Sequence, residues 1–196
     1  MSTIKNLVLA AGVVSSFAIP AILLVPSASA AEEAVTLDVN VNIDDIISMT
    51  LSAPSVGTTL LPGSTTPLPG GSSSEGVLYT TATVSTNSPY GYTLTLNDSD
   101  DNAHLQTTGG ATIAPISTEP AGTTNPGWAV QVAGQSTWQA VPTLSSGNVI
   151  TVKDYSPSPK AVTNNDTTTV YYGIATASDQ LTGIYTDTVT YTATAK

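Results

Sequence analysis

From Tyr185 to Ala195 every even position is threonine, and the odd positions read Tyr185, Asp187, Val189, Tyr191, Ala193 and Ala195. Side chains alternate between faces only along an extended strand, so the stretch predicts a strand with a mostly apolar face and a threonine ladder. β-branched and aromatic residues suit such a pleated, half-buried surface. A strand with one wet face belongs to an antiparallel sheet, and its dry face needs a second layer to cover it. The chain is thereby constrained towards a two-layer β-structure.

The same period recurs upstream. Ala34 to Ile43 places Val35, Leu37, Val39, Val41 and Ile43 on one face and Asp38, Asn40 and Asn42 on the other. After a break at Asp44-Asp45 the phase resumes in Ile47, Met49 and Leu51, which predicts two short strands or one bent strand. Ser52 to Gly76 is rich in Pro, Gly, Ser and Thr and reads as a long connection with one edge strand near Thr58 to Leu61. Val77 to Thr86 and Tyr92 to Asn97 each carry apolar side chains on one face. The turn residues Asn87-Ser88-Pro89-Tyr90-Gly91 between them predict a β-hairpin. Further strands are expected at Ala111 to Ile116, Trp128 to Val132, Thr137 to Val141, Val149 to Val152 and Thr168 to Thr176. Short strands at near-regular spacing predict an all-β, immunoglobulin-like antiparallel β-sandwich.

The first thirty residues read as an address. Lys5 precedes an apolar run from Leu7 to Val25, and small residues at Ala28 and Ala30 form a cleavage signal. We expect a signal peptide over residues 1–30 and a mature single domain over 31–196, exported to the cell surface or the medium. The alternative is an uncleaved anchor, since the apolar run is about long enough to span a bilayer. Charge narrows the partners. All fourteen acids fall after residue 30, against Lys153, Lys160 and Lys196 and no arginine, a net −11 for residues 31–196. Phosphate binding draws on Lys and Arg, so nucleic acid is excluded as an expected partner. With no cysteine, stability has to come from core burial and, where these exist, metal or subunit contacts.

Catalytic chemistry has little to start from. His104 is the single histidine, no thiol exists, and no motif carrying a mechanism is present, so no catalytic residue is assigned and no cofactor is expected. Asp98, Asp100 and Asn102 follow the first ligand positions of a calcium loop. Ala103 stands at the sharp-turn glycine and Gly109 at the bidentate glutamate, so a solvated loop is favoured over a metal site. Tyr90, Trp128, Trp138 and Tyr155 are the aromatics that could line a sugar or peptide surface, with core or rim packing favoured for the set. Asn97 and Asn165 head glycosylation-type triplets, which places both in surface loops. Lys153 is the one lysine near a strand that could form a side-chain cross-link to an acid; exposure at the strand end is the expectation.

The stretches TVSTNSPYGYTLTLND (Thr83 to Asp98) and GIYTDTVTYTATA (Gly183 to Ala195) resemble a loose set of exported bacterial surface proteins. The second resembles the closing strand of spore-coat-U and pilin-like sandwiches and the end of WxL cell-wall-binding domains. The chain departs from both groups. Tyr92-Thr93-Leu94 stands where a WxL protein has Trp-x-Leu, and no disulfide is available. The resemblance implies a surface-exposed immunoglobulin-like module and transfers no functional residue.

The expected function is that of a structural or adhesive surface module without catalytic activity, meeting cell-wall or host-surface glycans or proteins. A carbohydrate- or wall-binding domain is the alternative, with a secreted hydrolase a distant third. Ala34 to Ile43 is also a candidate self-assembly strand. It either completes its own sandwich, the favoured reading, or is lent to a neighbouring copy.

Overall fold

Alternation decides which side chains enter the core, and the two most regular stretches supply its centre. The strand Leu78–Thr86 buries every second residue, and Tyr92–Asp98 does the same in the opposite layer. Val84, Tyr92, Leu94 and Leu96 are wholly shielded from solvent. The computed structural model describes residues 40–70 and 75–196. The chain divides into two compact units, residues 1–41 and 42–196, and the architecture below is that of the second. The expected signal peptide, residues 1–30, and most of Ala34 to Ile43 lie outside the described residues. Of that expected strand, Asn40 to Ile43 are in no strand, and Val41 and Ile43 are 81% and 79% exposed.

Nine strands are described among these residues: β1 Ile47–Leu51, β2 Leu78–Thr86, β3 Tyr92–Asp98, β4 Leu105–Gln106, β5 Thr112–Ile113, β6 Gly127–Val132, β7 Ile150–Tyr155, β8 Thr163–Ala175 and β9 Val189–Ala195. One sheet has the order β1-β2-β8-β6 and the facing one β7-β3-β9, with every pairing antiparallel; β4 and β5 form a separate short ladder. The described residues therefore form the all-β antiparallel sandwich that the periodicity predicts. Between the sheets lie Leu78, Ala82, Val84, Trp128, Val130, Val132, Val170 and Tyr172 from one side and Tyr92, Leu94, Leu96, Ile150 and Val152 from the other.

Several expectations are corrected by this arrangement. β2 and β3 do not form a hairpin, because β2 pairs with β1 and β8 while β3 pairs with β7 and β9. The turn at Asn87–Gly91 carries the chain across from one sheet to the other. Alternation specifies an inward face, and two strands in opposite layers satisfy it as well as two neighbours do. No strand forms at Thr58 to Leu61. Thr137 to Val141 makes only a bridge, with Gln139 and Val130 exchanging both main-chain hydrogen bonds at 3.0 and 2.8 Å. Ala111 to Ile116 shrinks to β5. β8 instead begins early, at Thr163, and its first turn of ladder is bulged opposite Val84 and Thr86, where Asn165 takes a φ of 50°. Asn97 and Asn165 thus both lie in strands rather than loops.

Glycine is required at the crossing. Gly91 has a φ of 89°, and a Cβ there would overlap the carbonyl of Tyr155. Gly173 on β8 serves a different need, since Trp138 packs directly against the place its side chain would occupy.

β9 shows the expected phase, with its threonines exposed and Val189, Tyr191 and Ala193 turned inward, but those three are only half-buried. The reason is position: among the described residues β9 has a ladder neighbour on one side only. Leu94→Ala should accordingly cost about 2–5 kcal/mol in urea unfolding, as a fully buried leucine does. Val189→Ala should cost roughly 1 kcal/mol, and Thr190→Asp should stay within about 0.5 kcal/mol of the parent. Equal costs for Leu94 and Val189 would contradict the edge position.

Candidate functional site

The flank lined by β1 and β9, the edge strands of the two sheets, is incompletely filled. A hollow of about 400 Å³ opens there, walled by Leu51, Val56, Trp128, Tyr172, Val189 and Tyr191. A second, of about 410 Å³, adjoins it through the shared residues Leu105 and Ile174 and is closed by Leu60, Pro62 and Tyr185. The connection 52–60 and the segment 180–188 bound these hollows; neither forms a strand, and the second is tied to β4 by a single bridge between Thr186 and Gln106. Across the first, the hydroxyls of Tyr172 and Tyr191 meet at 2.8 Å and tie β8 to β9. Burial pushes both phenols above the ordinary tyrosine range, so the pair stays neutral and works as a hydrogen bond alone. Leu181 and Ile184 stand exposed beside it.

One end of this flank is acidic. A polar hollow of about 330 Å³ is lined by Asp100, Asn102, His104, Gln106, Asp187 and Thr188. Asp98, Asp100 and Asn102, the calcium candidates, do not converge there as a ligand set. Asp98 is turned fully into the domain, and its Oδ1 accepts the Asp100 N–H at 2.7 Å. Asp100 Oδ1 in turn accepts the Asn102 N–H at 2.7 Å. Two carboxylates thus fold the loop back on itself. Asp101 accepts the Ser145 N–H, and His104 Nδ1 lies 3.0 Å from Asn102 Oδ1. Among the described residues no three acidic or histidine groups are arranged to hold a metal ion. Asp187 joins this end from the segment before β9. Burial pushes its carboxyl up to about 7, and the charge and hydrogen bond of Asp98 and the charge of Asp100 act the same way, while the Thr188 N–H opposes them.

The aromatics are dispersed. Trp128 and Trp138 are 2% and 7% exposed and belong to the interior, with Trp128 Nε1 donating to the Ala103 carbonyl at 2.9 Å. Tyr155 is half-buried against the ring of Tyr92, at 5.8 Å between centroids. Only Tyr90 projects, and the Lys160 ammonium sits 3.9 Å from its ring centre. Tyr90, Pro89, Pro157, Lys160 and Lys196 surround a hollow of about 460 Å³ at the opposite end from the acids.

Lys153 is engaged rather than free at the strand end. Its Nζ lies 2.7 Å from Asp166 Oδ1, while the Tyr92 hydroxyl donates to Asp166 Oδ2 at 2.8 Å. Burial and the Asp166 bond raise the Tyr92 phenol, so it remains a donor. Both charged side chains keep more than a fifth of their surface in solvent, which suits an ion pair.

Sequence reasoning named Asp98 for the wrong neighbours and passed over Asp187. The signal was available. Asp98 continues the inward phase of Tyr92, Leu94 and Leu96, and Asp187 continues that of Val189, Tyr191 and Ala193. No protein-family model, curated protein or solved structure matches the chain.

Two outcomes follow from this geometry. Trp128→Phe should cost about 1–3 kcal/mol in urea unfolding, because it leaves the buried Ala103 carbonyl without its donor. Excess calcium should leave the melting temperature unchanged; a rise that Asp100→Ala removes would reveal a bound ion.

Proposed function

We propose that the chain is an exported structural or adhesive surface module that works by contact along the β9 flank. The observation that carries this reading is β9 itself. It is an edge strand whose inward side chains are half-exposed, beside apolar hollows and the exposed Leu181 and Ile184. An edge with unpaired main-chain groups and an apolar face beside it takes an added strand or a protein surface. The signal-peptide pattern and the acidic, arginine-free composition support a location outside the cytoplasm. Cell-wall or host-surface proteins are the partners this chemistry suits, and Ala34 to Ile43 of a second copy is the candidate added strand for self-assembly.

Light scattering on residues 31–196 and on a form lacking 31–43 tests the assembly branch. Oligomers that vanish on deletion and return with a peptide AVTLDVNVNI support it, and a strictly monomeric 31–196 at high concentration overturns it. Pull-down on cell-wall and host-surface fractions, weakened by Val189→Lys, tests the adhesive branch.

A glycan-binding reading has one observation in its favour, the exposed Tyr90 above its hollow. Lys160 already covers that ring, so a sugar would have to displace it. Glycan-array binding lost in Tyr90→Ala would favour this reading over the first.

A further inference from the structure

Asp98 and Asp187 pose a chemical problem. Asp98 is fully buried at the end of β3, where it pairs in register with Val189, two residues beyond Asp187. One oxygen of each carboxyl is satisfied: Asp98 Oδ1 by the Asp100 N–H and Asp187 Oδ1 by the Thr188 N–H, both at 2.7 Å. The other oxygen of each is sealed from solvent and meets no donor. The β3–β9 register brings the two acids to the same end of the ladder, and the Asp98 carboxyl acts on that of Asp187. Two carboxylate oxygens can only accept, so a sealed pair of them requires something positive between.

Three candidates could fill that role: an ammonium, a metal ion or a proton. The described lysines are all committed elsewhere, Lys153 to Asp166, Lys196 to Asp154 and Lys160 over Tyr90. Calcium takes six to eight oxygens, and no third acid or histidine is placed to complete such a set. A proton needs only the two oxygens already present.

We propose that Asp98 and Asp187 share one proton in a carboxyl–carboxylate hydrogen bond, forming a pH-sensitive latch between the end of β3 and the start of β9. The other titratable groups at this end are Asp100, Asp101 and His104, all on the loop after β3. Asp100 adds repulsion, and Asp101 is held by the Ser145 N–H. The segment 142–146 packs against Asp98 through the Pro142 carbonyl, which accepts its N–H at 2.9 Å, and carries no charge. Among the described residues no lysine compensates the pair once the proton leaves. The latch is reinforced by the Ser99 N–H, which donates to the Thr188 carbonyl at 2.9 Å. Asp187 and Thr188 wall both the apolar hollow and the polar one, next to Thr186, which two main-chain hydrogen bonds at 3.0 and 3.1 Å tie to Gln106, so loosening the latch acts on the wall between the two hollows.

The direction of the pH effect is fixed. The folded value of Asp187, about 7, lies above its ordinary value of 3.8. The stabilisation is thus complete below the ordinary value and is lost as pH rises through about 7. Thermal melts of the full mature protein across about pH 4 to 8 should show the midpoint falling, with a slope corresponding to about one extra proton held by the folded state. Protection of the Ser99 amide from hydrogen exchange should fall in the same window. Asp187→Asn, whose amide donates permanently to Asp98, should flatten that dependence. An unchanged pH dependence in Asp187→Asn overturns the proposal, as does calcium-dependent stabilisation above neutrality that a chelator reverses. Should that variant fail to fold, carbon-13 titration of the carboxyls in the unaltered protein decides. One coupled step near neutrality supports the shared proton, and both groups titrating below about pH 5 overturns it.

Discussion

The shared core into which β2 and β3 send alternate side chains from opposite layers is the burial around which the other strands are arranged. Val84 comes from one side, and Tyr92, Leu94 and Leu96 come from the other, all without solvent contact. The two strands are separated by five residues in the chain, so this long-range packing is reached at little loop-closure cost. Each then serves as template for its own sheet. β2 aligns β1 and the long β8, and β3 aligns β7 and β9. Without a cysteine, this burial does the work that a cross-sheet disulfide performs in many small exported domains.

What was legible in the sequence follows from what a two-residue period encodes. It encodes which side chains face inward, and the faces of β2, β3, β8 and β9 were all readable from it. It does not encode the neighbour, and so the turn at Asn87–Gly91 looked like a hairpin loop when it is a bridge between layers. Gly91 fits both descriptions, since it supplies a positive φ in either. The requirement specific to the bridge is the close approach of the Tyr155 carbonyl, which only the folded chain brings near. Trp138 illustrates a second limit. It is buried on a segment that makes one bridge and no strand, because Gly173 leaves an opening on β8 that the indole fills.

The acids show where periodicity was readable and was set aside. Aspartate at an inward position of a strand conflicts with the hydrophobic rule, and treating Asp98 as the first residue of a loop removes the conflict. The structure retains it. Asp98 is as buried as Leu96, and the carboxyl is accommodated by spending one oxygen on the Asp100 N–H. Its resemblance to a calcium loop has the same origin, since carboxylates spaced two apart satisfy successive main-chain N–H groups whether or not an ion is present.

Burying two carboxyls together is costly unless they are neutralised as a unit. Here they stand at the start of β9, beside the main-chain bonds that Ser99 makes to Thr188 and Gln106 to Thr186. Along its length β9 is held by β3 and by the Tyr172–Tyr191 hydroxyl pair, while its outer edge has no ladder partner among the described residues. A proton shared between Asp98 and Asp187 therefore acts where small changes in free energy have the largest structural consequence. It strengthens the single strand whose inner face is only half-covered, and it does so through a group exchanged with the surrounding medium. For the exported module proposed above, that medium would set the pH directly, and the exposure of the β9 flank would then depend on the protein's surroundings as well as on its packing.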